Sequence, residues 1–188
     1  LGFLGSLTVS EATIHGDEKA VRRGYYLLRD AIDAWPEFNL FTAGYTLSRL
    51  PADSAGFREA LDWQWRTLDL CAQRPVDRRT ADFSGAMALR TTEGPKRACW
   101  NSTIAPYNFE GFFLNMGDML VKSGDPALAR RVYAQAKLSP DYGTWPYRAA
   151  LERRIDEADA NVAAFRAGTG TPMMGRSTFA CTACHQAR

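Results

Sequence analysis

The residues best suited to carry chemistry lie near the C-terminal end of the sequence. Cys181 and Cys184 are three positions apart and His185 follows directly, which gives the pattern Cys-x-x-Cys-His. Thiols at this spacing lie on one side of a helical turn, where they can add to the two vinyl groups on one edge of a porphyrin. The adjacent imidazole is then placed to bind the iron as its proximal ligand. The pattern therefore predicts one covalently attached haem c.

Two other interpretations of the same five residues are open. A Cys-x-x-Cys redox motif lies at the start of a helix that follows a strand, whereas no strand pattern precedes Cys181. A structural zinc site needs a second pair of ligands, for which the sequence offers only His15 and the distant Cys71 and Cys99. Haem attachment is the interpretation that the residues favour.

The ligand on the other side of the iron decides what the haem can do. Met173 and Met174 lie eight and seven residues before Cys181, and we expect one of them to bind the iron because the intervening chain can curl over the ring. A thioether ligand raises the reduction potential relative to a second imidazole. Arg176 is close enough in sequence to bind a haem propionate through a charge-assisted hydrogen bond. The alternatives are an iron without a sixth ligand, or ligation by His15, Met87, Met116 or Met119.

Haem attachment also predicts the compartment. In prokaryotes the thioether bonds form outside the cytoplasmic membrane, where disulfides persist, so we expect an exported, periplasmic protein. Cys71 and Cys99 are then the remaining cysteines, and we predict that they pair, although two unpaired buried thiols are the alternative. The loop that they would close holds about 28 residues, for which the loss of unfolded-chain entropy is worth about 3–4 kcal/mol. The apolar stretch Leu1 to Ser10 is too short for a signal peptide and lacks its basic flank, so we treat it as mature sequence.

The composition indicates a globular protein. A chain of 188 residues can bury a hydrophobic core, and 46% hydrophobic with 23% charged residues is ordinary for a folded domain. The net charge of +2 argues against a dedicated nucleic-acid binder. No apolar run reaches the roughly 18 residues that a membrane-spanning helix needs.

The sequence before the haem motif predicts an all-α fold, because apolar residues recur at helical spacing and no alternating strand pattern is present. We expect a helix over Asp17 to Ala34 and a short one over Phe38 to Ser48. Ser54 is a candidate N-cap for a third helix that ends near Cys71. The stretch from Ala72 to Pro106 has no sustained period and is either a connecting loop or a docking surface. A final helix is expected after Pro146, with an apolar face that ends at Phe165.

Residues 110–140 resemble a tetratricopeptide repeat, a pair of antiparallel helices. In that family, small residues let the two helices approach closely, and an aromatic ring fills the gap between turns. The closing proline arrives one residue early here. Since fewer than about three repeats do not form a stable array, we expect an irregular helical domain rather than a superhelix. The matching residues are Phe113, Met116, Gly117 and Leu120, then Gly124 and Asp125 at the turn, then Ala129, Tyr133, Ala136 and Pro140.

The Cys181–His185 motif also makes the chain resemble a monohaem c-type cytochrome. Its C-terminal position is similar to that in the class II cytochromes c, whose helical bundles carry the motif in the last helix. Gly168 to Pro172 interrupts the helix that should lead into the motif, and the repeat-like hairpin is foreign to that family. The resemblance thus implies the haem attachment and the proximal ligand, but not the fold. We expect one domain over 1–188, with the hairpin at 110–140 and a haem-attachment tail at 168–188.

These features predict a periplasmic electron carrier, or an electron-input subunit, that exchanges electrons with a protein partner. Repeat-type hairpins offer concave surfaces to such partners. A small-ligand sensor or a haem enzyme with an open iron is the alternative. Peroxidase chemistry needs a distal acid–base group, and a sequence with only two histidines argues against it. A scaffold protein with a structural haem is a third interpretation.

Overall fold

A computed structural model describes residues 1–83 and 108–169. Every regular element in these two ranges is helical, which confirms the predicted all-α class. None of the helices described there is long and apolar enough to cross a membrane. The α-helices are α1 (Gly2–His15), α2 (Glu18–Ala34), α3 (Pro36–Leu47), α4 (Ala55–Ala72), α5 (Phe109–Ser123), α6 (Pro126–Gln135), α7 (Arg148–Asp156) and α8 (Ala158–Arg166), with short 3-10 turns at Ala136–Leu138 and Tyr142–Thr144.

Helix α1 was not predicted from the sequence. It packs mainly against α2, and the two backbones approach closely where both helices carry glycine. A Cβ on Gly24 would lie 2.7 Å from Val9 Cγ2 and 3.0 Å from the Gly5 carbonyl oxygen. The helix was missed because apolar residues cover more than the buried face: Phe3 is 78% exposed and Ile14 70%. No single apolar stripe therefore marked it.

Side-chain N-caps mark the starts of α2 and α4, and the one at Ser54 was predicted. Asp17 accepts a hydrogen bond from the Ala20 N–H at 3.0 Å at the start of α2. Ser54 accepts one from the Phe57 N–H at 3.1 Å, as expected of an N-cap. Helix α4 ends at Ala72, where Gln73 adopts a left-handed conformation with φ 52°.

Helix α5 is the centre of the core. Each residue from Phe109 to Val121 is buried, and α4, α6 and α8 pack around it. Asn108 caps it by accepting the Gly111 N–H at 3.0 Å. Phe113 lies 4.8 Å from Phe109 and 5.0 Å from Phe83, measured between ring centroids. This aromatic cluster packs at the N-terminal end of the helix.

The single helix predicted after Pro146 is two helices. The chain breaks at Glu157, whose φ of −93° and ψ of 10° depart from helical values. Leu151 of α7 and Ala158 and Val162 of α8 are all buried. The break therefore leaves these three residues in the core and lets α8 pack against α5.

Candidate functional site

The predicted haem-binding residues belong to the part of the chain that lies outside the described ranges. Residues 170–188 hold Met173, Met174, Arg176, Cys181, Cys184 and His185, and residues 84–107 hold Met87 and Cys99.

Three of the alternative iron ligands are described. Met116 and Met119 lie on α5 with no exposed surface, so both fill the core and neither reaches a haem at the surface. His15 is the last residue of α1 and its side chain is exposed. Of the axial-ligand candidates within the described ranges, His15 is therefore the one that an iron could reach.

Cys71 is disulfide-bonded and fully buried in the last turn of α4. The other three cysteines of the sequence are Cys99, Cys181 and Cys184, all outside the described residues. The pairing of Cys71 with Cys99 stays a prediction. Because Cys71 is at the C-terminal end of α4, the bond constrains that end of the helix.

The end of α8 leads into the predicted haem-attachment tail. Gly168 has a φ of 69°, a left-handed conformation that suits glycine and reverses the chain after the helix. The Arg166 Nη2 donates to the Gly124 carbonyl oxygen at 3.4 Å. The tail therefore leaves the body beside the C-terminal end of α5.

A cavity of about 680 Å³ opens between α1, α2 and the start of α4. Its volume lies within the roughly 300–1,000 Å³ typical of small-molecule and cofactor sites. Its apolar walls come from Val21, Leu50 and Pro51, and its polar groups include the Arg22 guanidinium. The full lining is Ala12, Thr13, Gly16, Glu18, Val21, Arg22, Tyr25, Tyr26, Leu50, Pro51, Ser54, Ala55 and Gly56.

Two tyrosines form an aromatic wall in this cavity. The Tyr25 ring stacks on Trp63, with centroids 6.1 Å apart and planes 13° from parallel, and Tyr26 meets it edge-on at 5.3 Å. The Tyr25 hydroxyl donates to Glu59. Burial, together with that carboxylate, raises the pKa of Tyr25 to about 12. The phenol therefore stays neutral at physiological pH and holds its ring in place.

Lys122 connects the end of α5 to the cavity. Its Nζ donates to the Ser48 carbonyl oxygen at 2.7 Å and to the Leu50 carbonyl oxygen at 3.0 Å. The same nitrogen lies 4.7 Å from the centre of the Phe57 ring. Burial lowers the pKa of Lys122 to about 8. The side chain thereby fixes the rim of the cavity, which Leu50 helps to form, against the central helix.

A second polar group of residues, centred on the buried Asp118, was not predicted. Asp118 Oδ1 accepts from the Tyr133 hydroxyl at 2.6 Å and from Arg154 Nε at 3.2 Å. Burial raises the pKa of Asp118 to about 6, against the opposing effect of Arg154. An aspartate inside the apolar run of α5 was the signal in the sequence. With no exposed surface, its carboxyl group ties three helices together rather than meeting a ligand.

Clusters of three or more His, Cys, Asp or Glu that could bind a metal are absent from residues 1–83 and 108–169. No protein-family model matches the sequence, and no similar curated protein or solved structure was found.

Proposed function

We propose that this protein is a periplasmic c-type cytochrome that carries electrons to or from a protein partner. The observation that carries the proposal is the Cys-x-x-Cys-His pattern at residues 181–185. Two thiols and an imidazole at this spacing are the donor set that haem c requires. When bound, the haem supplies a single iron that alternates between Fe(II) and Fe(III).

The residues of the chain would divide the work of holding this group. The thiols of Cys181 and Cys184 fasten the porphyrin edge, so that the group cannot dissociate. The imidazole of His185 binds the iron and sets its orientation. The described body fits such a group, because it offers an open cavity of cofactor size and, in Met116 and Met119, no competing ligand at the surface.

The pair α5–α6 supports the partner-binding part of the proposal. A two-residue connection, Gly124 and Asp125, joins the helices, which pack side by side. Gly117 lies directly against the Tyr133 ring, the small-on-aromatic contact that the tetratricopeptide resemblance implies. Hairpins of that kind present surfaces to proteins, which suits a carrier that must dock on its redox partner.

Maturation in a host that attaches haem c tests the proposal directly. We expect the intact mass of the purified protein to equal the polypeptide plus one haem, with a reduced-minus-oxidised visible spectrum typical of haem c. Replacing Cys181 and Cys184 together with alanine should give the bare polypeptide mass. Thr182→Ala, inside the same motif, is the matched control and should retain the haem. A bare mass for the unaltered protein would refute the proposal.

The sixth ligand gives a separate prediction. We expect either Met173→Leu or Met174→Leu, but not both, to abolish the weak near-infrared band of iron–methionine ligation in the oxidised protein. The same variant should lower the reduction potential and should bind CO when reduced, because a leucine cannot replace the thioether. The other methionine variant and His15→Ala serve as controls. Loss of the axial ligand in His15→Ala alone would show bis-histidine ligation, and CO binding by the unaltered protein would indicate an open iron.

A further inference from the structure

We propose that the cavity between α1, α2 and the start of α4 receives the haem carried by residues 170–188 of the same chain. This inference rests on the proposed function and adds the place where the haem docks. The body would then shield one face of the porphyrin from water and fix its distance from a partner. Three observations favour this cavity and this occupant.

The first observation is the chemistry of the cavity. Val21, Leu50 and Pro51 offer apolar surface to a flat macrocycle, and the Tyr25 ring is held by its contact with Trp63. Arg22 supplies a cation that can bind a propionate through charge-assisted hydrogen bonds. The N-terminal end of α4, which reaches the cavity at Ala55 and Gly56, adds positive potential from the helix dipole.

The second observation is the position of the chain where the tail begins. Arg166 contacts Gly124 at the end of α5, and Lys122, two residues earlier, binds the carbonyl group of Leu50 at the cavity rim. Cys181 is twelve residues beyond Thr169, which corresponds to a reach of about 40 Å when extended. The tail therefore begins at the same end of α5 that Lys122 ties to the cavity rim, and its extended length is enough to bring the haem to the cavity.

The third observation concerns residues 84–107, the other segment that could fill the cavity. Phe83 packs on Phe113 and its N–H donates to Gln135 Oε1 at 2.9 Å, while Asn108 caps α5. Both ends of that segment are thereby held at the N-terminal end of α5. The helix has 15 residues, so Lys122 and the cavity rim lie about 20 Å away along its axis. The C-terminal tail instead starts at the opposite end of α5, which Lys122 joins to the cavity rim, so it is the nearer of the two segments.

Nuclear magnetic resonance of the haem-loaded full chain tests the docking site, because an oxidised haem iron shifts and broadens nearby amide signals. We expect the largest differences between the oxidised and reduced protein at residues 12–26 and 50–56. Amides around Phe83 and Gln135 should change several-fold less. If the signal differences were centred on the N-terminal end of α5, or spread evenly over the body, the docking proposal would be wrong. The proposed haem attachment would not be affected by that result. A chain without haem would overturn both.

Two adjacent arginines provide a matched test of where the haem docks. Arg22 lines the cavity, whereas Arg23 is exposed on the same helix and does not. Arg22→Glu should lower the reduction potential clearly more than Arg23→Glu, because a negative charge near the haem favours the ferric state. Thr13→Trp, which fills the cavity from α1, should reduce the paramagnetic shifts at residues 50–56. Equal potentials in the two arginine variants, or unchanged shifts in Thr13→Trp, would contradict the proposal.

Discussion

Replacing Gly117 with alanine is expected to destabilise the protein by about 1–3 kcal/mol, a typical cost of overpacking a core. The added Cβ would lie 2.2 Å from Cε1 and 2.3 Å from Cδ1 of the Tyr133 ring. That ring is fully buried, and its hydroxyl is held by Asp118 at 2.6 Å, so it cannot swing away without breaking a buried hydrogen bond. Alanine favours helix over glycine by only about 1 kcal/mol, which the clash should outweigh.

Gly143→Ala is the matched control for this substitution. No atom lies within 4 Å of a Cβ added at Gly143, and we expect its stability to stay within about 0.5 kcal/mol of the parent. Urea unfolding followed by circular dichroism gives both values. In the double variant that combines Gly117→Ala with Tyr133→Leu, we expect the loss of stability to be smaller than the sum of the losses in the two single variants. The reason is that the two residues are in contact. A Gly117→Ala protein as stable as Gly143→Ala would show that α5 and α6 separate at little cost.

The helices that could be predicted are those that are marked by residues close together in the sequence. Helix α2 has a capping aspartate, and its residues Leu28 and Ile32 are buried one turn apart. Helix α4 has Ser54 and the buried residues Phe57 and Leu68. An N-cap and an apolar stripe act within a few residues of one another, so a sequence shows them without knowledge of the fold.

Helix α1 and the break between α7 and α8 could not be predicted, because tertiary packing decides both. On α1 the contact with α2 uses Gly5 and Ala12, whose small side chains leave no hydrophobic stripe. At Glu157 the chain carries no proline or glycine to mark a break. The turn there follows from packing Leu151 and Val162 on the same core.

Only part of the candidate site could likewise be predicted from the sequence. The haem motif is visible in the sequence because its chemistry requires adjacent residues. The cavity was not predicted, since its wall combines residue 12 with residue 56, which are separated in the sequence by the whole of α2 and α3. Asp118 was also missed as a functional or structural group, because only the fold shows that Tyr133 and Arg154 converge on it.

Asp118 predicts an unusual dependence of stability on pH. The pKa of its carboxyl group rises from 3.8 to about 6 on folding. Between pH 4 and 6 the folded protein therefore keeps a proton that the unfolded chain has already released. The contribution of Asp118 to the free energy of unfolding is therefore fully present below about pH 4 and falls as the pH rises to 6. A shift of this size corresponds to about 3 kcal/mol. Asp118 Oδ2 is buried and without a hydrogen-bond partner among the described residues, so Tyr133 and Arg154 compensate the charge of the carboxylate only at Oδ1.

Asp118→Asn isolates this effect, because the amide keeps the shape and a hydrogen-bond acceptor but cannot titrate. We expect the unfolding free energy of the parent minus that of the variant to fall by about 3 kcal/mol between pH 4 and 7, measured by urea unfolding at each pH. Subtracting the variant removes the acid titration of all other carboxylates. Asp156→Asn, at an exposed position of α7, should leave the slope of the parent unchanged. A difference that rose with pH would mean that Arg154 stabilises the charged carboxylate more than burial destabilises it, and would contradict the prediction.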